Sequence, residues 1–448
     1  MTRKDTIKIT PSGGLANNFR NLGYSFSQAV ADIIDNSIEF NASRVFVDMV
    51  FDGKDSWIRI ADNGKGMTSK EITEAMKYGS ERNHSPDELS IFGLGLKLAS
   101  TSQCRRFTVA SRVDPGRRRL EALQFDIDYI AKHDWDIKII HPDKRSDKLV
   151  EPLNDTVGTV VLWEVLDRLL KYKIPGGEKA RAGYYKLADE LDQHLGMVFH
   201  RFLSGQVKRR RKLKITVNGT EVRPWDPFAR DEKATVKLED HQFEVKGEDG
   251  MGLVTYSPYI LPSKQQFSSL VAFNRYAGPA KWNAQQGFYI YRSDRMIQSG
   301  GWNRMIAPDE HTKYARAAMD FSPELYQAFE LTVNKTGITL PADLRNQLKP
   351  YVTEFVGKAK KAYSPDSKSS ADSTDKSTNS PGGNSGKGGV QKDSSVNTVN
   401  LDEAHKRNEQ LGQALEKAAK KAGELQALTR IKEALKADDP IVAKEIGW

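Results

Sequence analysis

Apolar residues at helical spacing define the first clear element of the chain, a predicted helix over residues 26–40. The apolar side chains that fall on one side are Phe26, Ala29, Val30, Ile33, Ile34 and Ile38. The polar side chains that fall on the other side are Asp32, Asp35, Asn36 and Glu39. Ser25 or Ser27 is the expected N-cap. The pattern therefore predicts an amphipathic helix with one acidic, amide-bearing face.

Strands and further helices follow in the next 130 or so residues. Alternating apolar positions predict strands over residues 43–51, 57–61, 106–111, 120–126 and 159–165, the first two joined by a tight turn. Helical spacing returns over residues 68–78 and 94–101, and a polar loop separates these two segments. Helices mixed with antiparallel strands predict an α+β sandwich rather than a doubly wound sheet.

A long helical stretch, residues 180–203, separates this region from a second one rich in strands. There the pattern predicts strands over residues 214–217, 252–256, 288–291 and 295–297, and a closing helix over 340–363. Asn218-Gly219 is the dipeptide expected at a tight turn between strands. We interpret the long helix as a connector between the two regions.

The C-terminal part changes character. Residues 364–400 are rich in Ser, Gly, Asp and Lys and contain no aromatic residue, which predicts a flexible linker. Residues 401–436 predict a charged helix with a weak heptad pattern, suited to docking on its own protein or on a partner. The predicted organisation is thus a first domain at 1–203 that includes the connector helix, a second domain at 204–363, a linker at 364–400, and a helical segment at 401–448.

Composition limits the possible environments and partners. The chain has 448 residues, and 68 Lys and Arg against 59 Asp and Glu give a net charge of +9, which fits a polyanionic partner or an ordinary basic protein equally well. The single cysteine, Cys104, excludes an intrachain disulfide and favours a structural thiol in a reducing compartment. No apolar run is long enough to span a membrane, so we expect a cytoplasmic protein.

Candidate chemistry begins on the polar face of the first helix. Asp32 and Asn36 are one turn apart, and an amide oxygen is a hard neutral ligand suited to Mg²⁺. A carboxylate one turn earlier can hold and deprotonate a water molecule. The alternative is a solvated polar face.

Two glycine-containing blocks follow. In Asp62-Asn63-Gly64-Lys65-Gly66-Met67, at a strand end, the aspartate can accept a hydrogen bond from a base, and the glycines let the backbone come close to it; the alternative is a hairpin turn. In Gly93-Leu94-Gly95-Leu96-Lys97 the glycines precede a helix, whose first amides can bind phosphate, and Lys97 adds charge. A simple turn before a helix is the alternative there, because GxG alone is a weak signal.

The order of these blocks resembles the ATP site of the GHKL superfamily, which includes gyrase B subunits, heat-shock-ninety chaperones, histidine kinases and MutL. Gly158-Thr159 is similar to the last box of that family, whose threonine lies near adenine and its carboxylate. The resemblance implies a Bergerat-type two-layer α/β sandwich that binds ATP. It covers about residues 14–350.

The resemblance also implies roles for individual residues. Asn36 corresponds to the Mg²⁺ ligand, Asp62 to the adenine-reading carboxylate, and Asp32 to the catalytic base. Asp32 departs from the family, which has glutamate there, and the shorter side chain implies slow turnover. The other residues implied to contact the nucleotide are Gly64, Gly66, Met67, Gly93, Leu94, Gly95, Leu96, Lys97 and Thr159.

The second region resembles the α+β transducer of the MutL and MORC-like branch. The segments that carry this likeness are Val217-Asn218-Gly219, Pro224–Phe228, Gln286–Arg292, Arg295-Met296-Ile297 and Gly300-Gly301-Trp302. A transducer of this class sends one lysine to the γ-phosphate, and Lys335 is the candidate; an ordinary surface lysine is the equal alternative.

The resemblance implies an ATP-driven switch that closes a lid over residues 78–92 and forms a homodimer when ATP binds. Basic runs at 208–212 and 117–119 fit sequence-independent contact with DNA, or merely a solvated surface. We expect action on DNA or on a DNA-processing or defence partner. The alternatives are a non-catalytic scaffold that recruits a protein through the C-terminal helix, and a folding chaperone.

Overall fold

The computed structural model describes most of the chain up to residue 363 and a few later positions. The described residues are 14–21, 23–78, 88–89, 93–116, 120–142, 147–248, 250–332, 335, 337–363, 416, 420, 426, 428–430, 432 and 433. The predicted lid, the basic run 117–119 and the predicted linker fall largely or wholly outside these residues. The chain divides into two compact units, residues 1–371 and 372–448.

The first sheet of the larger unit has eight strands in the order β5-β4-β3-β6-β2-β1-β7-β8. Its strands are β1 Arg44–Val50, β2 Trp57–Asp62, β3 Arg106–Arg112, β4 Glu121–Asp126, β5 Lys138–Ile139, β6 Gly158–Glu164, β7 Lys214–Val217 and β8 Thr220–Glu221. Neighbouring strands are antiparallel except for the parallel pair β1 and β7. This mixed sheet positions the end of β2 beside the start of β6.

Helices cover one face of this sheet. The helices of the larger unit within the described residues are α1 Leu15–Asn18, α2 Phe26–Glu39, α3 Ser69–Met76, α4 Gly95–Gln103, α5 Ile127–Ile130, α6 Glu178–Val198, α7 His200–Leu203, α8 Leu270–Tyr276, α9 Lys281–Ala284 and α10 Ala342–Tyr363. Apolar side chains of α2 and α6 share one core with β1, β2, β3 and β6. The predicted α+β sandwich is therefore confirmed.

Helix α2 forms where its apolar spacing predicts, and local chemistry fixes its start. Ser25 is the N-cap, and its side chain and that of Gln28 form a reciprocal capping box, which contributes about 1 kcal/mol to helix stability. All six apolar residues of the predicted face are buried. The polar face is buried as well at Asp32 and Asp35, because it meets side chains from much later in the chain.

The second sheet has the order β10-β11-β14-β12-β13, and β9 pairs with β11. Its strands are β9 Val236–Lys237, β10 His241–Lys246, β11 Met251–Ile260, β12 Gly287–Arg292, β13 Arg295–Ser299 and β14 Ala315–Phe321. Apolar residues of α10 pack on it to form a second core. The β12–β13 hairpin turns through Ser293 and Asp294, both with positive φ.

Two features differ from the sequence expectations. Residues 214–217 form a strand, but this strand, β7, pairs with β1 in the first sheet rather than joining the second strand-rich region. The predicted helix over 180–203 is interrupted at Phe199 and so forms two helices, α6 and α7. Hydrophobic periodicity indicates that a strand or helix exists, but it carries no information about a strand's distant partner or a single-residue break.

Two smaller expectations are confirmed, those for Cys104 and for the Asn218-Gly219 turn. Cys104 is a buried thiol, and burial raises its pKa above the ordinary value. Asn218 and Gly219 both have positive φ between β7 and β8, as the tight-turn prediction requires. The described residues of the smaller unit are helical. Within the described parts of the chain, none of the helices is long and apolar enough to cross a membrane.

Candidate functional site

A cavity of about 360 Å³ lies between α2, α3, α4 and the first sheet, a size typical of small-molecule sites. Part of its wall is apolar and comes from helices and strands, namely Ile33, Ile60, Met67, Ala75, Val109 and Val161. Its polar lining includes Asn36, Ser37, Asp62, Lys65, Lys97 and Thr159. The cavity can therefore hold a flat apolar group while polar groups fix its orientation.

Asp62, the last residue of β2, is the most tightly held polar group of this wall. The Ser37 hydroxyl and the Gly64 amide each donate to its carboxylate at 2.8 Å. Asp62 lies opposite Thr159 in the β2–β6 ladder, and the Thr159 hydroxyl is 3.0 Å from that of Ser111. Burial raises the pKa of Asp62, whereas the hydrogen bonds from Gly64, Ser37 and Thr159 oppose the rise. The result is an oriented acceptor suited to an amino group on an aromatic ring.

The two glycines after Asp62 serve the protein's own packing. A Cβ at Gly64 would lie 2.7 Å from the Phe40 carbonyl oxygen, and one at Gly66 would lie 2.1 Å from that of Arg112. Gly66 also has φ +70°, which glycine adopts at least cost. Neither residue lines the cavity. Because they lack side chains, these glycines let the turn pass close to α2 and β3, and the turn thereby places Asp62 and Met67 at the cavity wall.

The start of α4 forms another side of the cavity. Gly93, Gly95, Leu96 and Lys97 line it, while Leu94 is the N-cap residue of the helix and does not. Amide groups in the first turn of a helix lack intrahelical partners and attract anions. This side is therefore suited to a negatively charged group.

Lys97 adds a buried ammonium group to that side of the cavity. Its ammonium donates to the carbonyl oxygens of Ala75 and Gly93, each at 2.9 Å. Burial lowers the pKa of Lys97 to about 8, although Glu74 acts in the opposite direction. Lys97 thus joins the end of α3 to the glycine block, and its charge is sensitive to pH near neutrality.

Asp32 lies directly behind the cavity. It does not line it, but a Cβ at Gly95 would be 3.7 Å from its carboxylate. The Tyr24 hydroxyl donates to Asp32 Oδ2 at 2.8 Å. Burial raises the pKa of Asp32, and the positive charge of Lys335 is the largest influence that lowers it. Asp32 is therefore close to the cavity but screened from it in this state.

Two cations from the second half of the larger unit neutralise the acidic face of α2. Lys335 Nζ lies 3.2 Å from Asp32 Oδ1 and 2.6 Å from Asp35 Oδ2. Arg295 Nε lies 2.9 Å from Asp35 Oδ1, and its terminal nitrogen is 3.5 Å from Asp32. All four side chains are buried. We call Asp32, Asp35, Arg295 and Lys335 the charge cluster.

The structure brings together most of the residues that the sequence singled out. Those that line the cavity are Asn36, Asp62, Met67, Gly93, Gly95, Leu96, Lys97 and Thr159. Those placed behind it or in its supporting turns are Asp32, Gly64, Gly66, Leu94 and Lys335. Lys335 is buried against α2, so the alternative of an ordinary surface lysine is excluded.

Around the charge cluster, the residues Tyr24, Asp35 and Arg295 had no role assigned from the sequence. Asp35 stood on the predicted polar face of α2, and Arg295 stood in a segment that carried the transducer likeness, so each had a weak signal. Tyr24 had none, because a tyrosine just before an N-cap is ordinary. Their contacts depend on long-range folding, which a local pattern does not encode.

The same region of the chain is similar to known proteins. Residues 24–159 match the family of "Histidine kinase-, DNA gyrase B-, and HSP90-like ATPase". The DNA mismatch repair protein MutL of Aliivibrio fischeri is 35% identical to this chain over 91 residues, and that of Aliivibrio salmonicida is 34% identical over 91 residues. Each match covers 19% of this chain and 14% of the relative. The chain thus matches a small part of these relatives.

Proposed function

We propose, from the premise that residues 24–159 belong to the GHKL superfamily of ATPases, that the protein binds ATP with Mg²⁺ and hydrolyses it slowly as a conformational switch. The observation that carries the proposal is Asp62: a buried carboxylate, oriented by Ser37 and Gly64, on the wall of a partly apolar cavity. Adenine offers an amino group for such an acceptor and a flat ring for the apolar wall.

The side of the cavity formed by the start of α4 is suited to the triphosphate. The first turn of α4 and the ammonium of Lys97 supply positive potential there. Asn36 lines the same cavity, and its amide oxygen would hold Mg²⁺ together with water and phosphate oxygens. The metal would supply neutralisation of the phosphate charge. Thr159 would complete the adenine end beside Asp62.

Nucleotide titration tests this step. A fluorescent ATP analogue with Mg²⁺ should bind the wild-type chain, and D62N should bind it at least tenfold more weakly, because the amide presents a donor as well as an acceptor to the amino group. D48N is the matched control: the Asp48 carboxylate also accepts a side-chain hydrogen bond, from Arg59, but Asp48 does not line the cavity. A wild-type chain that binds no adenine nucleotide would refute the proposal.

For hydrolysis, Asp32 would have to lose its contact with Lys335 and become accessible to water. Asp32 is the proposed base that deprotonates the attacking water, but Lys335 and Tyr24 occupy its oxygens in this state. A triphosphate in the cavity would attract Lys335 away from α2 and so expose Asp32, which makes Lys335 the proposed sensor of the γ-phosphate. Loss of steady-state ATP turnover in D32N would support the role of Asp32 as the base. Turnover that is unchanged in D32N would exclude that role.

The further proposals concern assembly and partner. ATP binding is proposed to favour a homodimer, which requires ATP to bind the closed state more tightly than the open one. Light scattering should then show a larger mass with a non-hydrolysable ATP analogue than with ADP, and one mass in all nucleotide states would contradict it.

DNA is the proposed partner, because the exposed basic run at 208–212 contacts the end of a helix that contributes to the cavity. Arg210 in this run donates to the Ile38 carbonyl oxygen at the end of α2, the helix that carries Asn36. Positive side chains here can contact a phosphate backbone without reading sequence. Duplex DNA of any sequence should raise turnover in low salt, with the effect lost as salt increases.

A second candidate function is a nucleotide-dependent scaffold without turnover. The observation that favours it is the screening of Asp32, which is paired with Lys335 and does not line the cavity. Such a protein would bind Mg-ATP and change shape, yet release no phosphate over background. Binding in the absence of measurable hydrolysis, with and without DNA, would decide for the scaffold.

A further inference from the structure

The charge cluster joins one helix of the ATP-binding region to two separate segments of the second region. Its members are two carboxylates three residues apart on α2, one guanidinium from β13 and one ammonium from residue 335. Two negative and two positive charges balance within a site where every member is buried. Removing either cation would leave an uncompensated carboxylate away from water, which is strongly unfavourable.

The two cations are held in different ways. Arg295 is the first residue of β13 and pairs with Arg292 of β12. Its guanidinium also lies over the Phe199 ring and donates to the Met296 carbonyl oxygen. Lys335 reaches α2 from a residue with φ +51°, outside any strand or helix. Arg295 is therefore built into the sheet, whereas Lys335 depends on a single long side chain.

The shape of the guanidinium fits a bridging role. Its Nε contacts Asp35, and a terminal nitrogen points to Asp32, so one planar fork spans both carboxylates of the helical turn. A lysine can contact both carboxylates from one compact ammonium group, as Lys335 does, but it cannot present two separate nitrogens held in one plane. Arg295 thus fixes the position of Asp35 and, with it, the turn of α2 that carries Asp32.

We propose that Arg295 is a positioning residue for Asp32: it is the permanent counter-ion of Asp35, and it keeps the α2 turn balanced and in place while Lys335 exchanges the carboxylates for the nucleotide phosphate. This inference rests on the proposed function. Without Arg295, departure of Lys335 would leave two buried carboxylates facing each other, and their repulsion would displace the base. Arg295 does not line the cavity; it acts on the position of Asp32 through Asp35 and through its own 3.5 Å contact with Asp32.

The test is R295Q in the full chain, with the kinetic constants for Mg-ATP and the affinity for a fluorescent ATP analogue measured separately. Because Arg295 does not line the cavity, affinity should stay within about twofold of wild type. The kcat should fall about tenfold to a hundredfold, the effect of a base displaced by about 1 Å. Adding D35N to R295Q removes the unbalanced charge and should recover part of kcat.

Matched variants separate positioning from stability. R59Q also removes a buried arginine that forms two bonds with one carboxylate, that of Asp48, but it leaves the charge cluster intact, so it should lower thermal stability without lowering kcat. R295K keeps the charge and loses the fork; it should fold and show an intermediate kcat, which gives the same test if R295Q does not fold.

The outcomes distinguish this inference from the proposed function. Wild-type kcat in R295Q or R295K, or a loss no larger than that of R59Q, would overturn the positioning role while leaving ATP binding and turnover in place. A loss of nucleotide affinity equal to the loss of kcat would overturn it too, since a binding residue would behave in that way. A wild-type chain that fails to bind Mg-ATP would reject the proposed function and this inference with it.

Discussion

The ammonium of Lys335 lies 2.6 Å from the carboxylate of Asp35, a residue 300 positions earlier in the chain. Both side chains are buried, and the same ammonium also contacts Asp32. The contact joins the helix that borders the cavity to a segment that follows the second sheet. A ligand able to compete for this ammonium would therefore change how the two halves of the larger unit are connected.

The first prediction concerns the stability of this contact. K335M should lower the free energy of unfolding by about 3 kcal/mol, because removing one member of a buried ion pair leaves the other uncompensated. Chemical denaturation with a two-state fit gives the value. K237M is the control: Lys237 pairs with Asp240 at the surface, and loss of such a pair costs less than about 1 kcal/mol. Equal effects of the two variants would mean that the charge cluster adds no stability.

The second prediction concerns pH and Lys97. Burial lowers the pKa of Lys97 to about 8, so the side chain is a cation below this pH and loses its charge above it. A bound triphosphate favours the cation, so by linkage the affinity for Mg-ATP should fall as pH rises through 8. Titrations with a fluorescent ATP analogue from pH 6.5 to 9.5 would show the fall.

The variant K97R supplies the control for this pH effect. An arginine stays charged across the whole range, so the affinity of K97R should be much less dependent on pH above 8. If wild type and K97R lose affinity in parallel, another group is responsible and Lys97 does not contribute its charge to binding.

The third prediction concerns the turn after Asp62. G66A should destabilise the protein by more than about 2 kcal/mol, because alanine is strained at φ +70° and its Cβ would lie 2.1 Å from the Arg112 carbonyl oxygen. G219A isolates the first cause, since Gly219 has φ +79° with nothing within 4 Å of the added Cβ. Thermal melts should show a small loss of stability for G219A and a much larger one for G66A. Similar losses would mean that the backbone at Gly66 and at Arg112 separates at little cost.

The sequence predicts the local parts of this molecule well, and the reason is physical. The six apolar residues of α2 and its N-cap are encoded by spacing and by a serine at the right place, so helix, cap and buried face follow from the chain itself. The same spacing correctly places Asp32 and Asp35 on the polar face of α2, but it does not predict that both side chains are buried.

Contacts between distant segments account for the remainder. The polar face of α2 is buried because Arg295 and Lys335 fold over it, and nothing near Asp35 in the sequence indicates that. Strand β7 likewise joins the first sheet because β1 offers it an edge. Hydrophobic periodicity is a local property, whereas these pairings are decided by which complementary surfaces meet.

The last prediction concerns the orientation of Asp32. The Tyr24 hydroxyl donates to Asp32 Oδ2, and this bond lowers the pKa of Asp32 against the larger rise due to burial. In Y24F the pKa of Asp32 should therefore rise further. A base works only when ionised, so the acid limb of the pH dependence of kcat should move to higher pH, while the affinity for Mg-ATP stays unchanged. Y289F also removes a buried hydroxyl, one that bonds to Gln285, and should leave the pH profile in place. An acid limb that does not move in Y24F would show that Asp32 is not the group whose ionisation limits turnover.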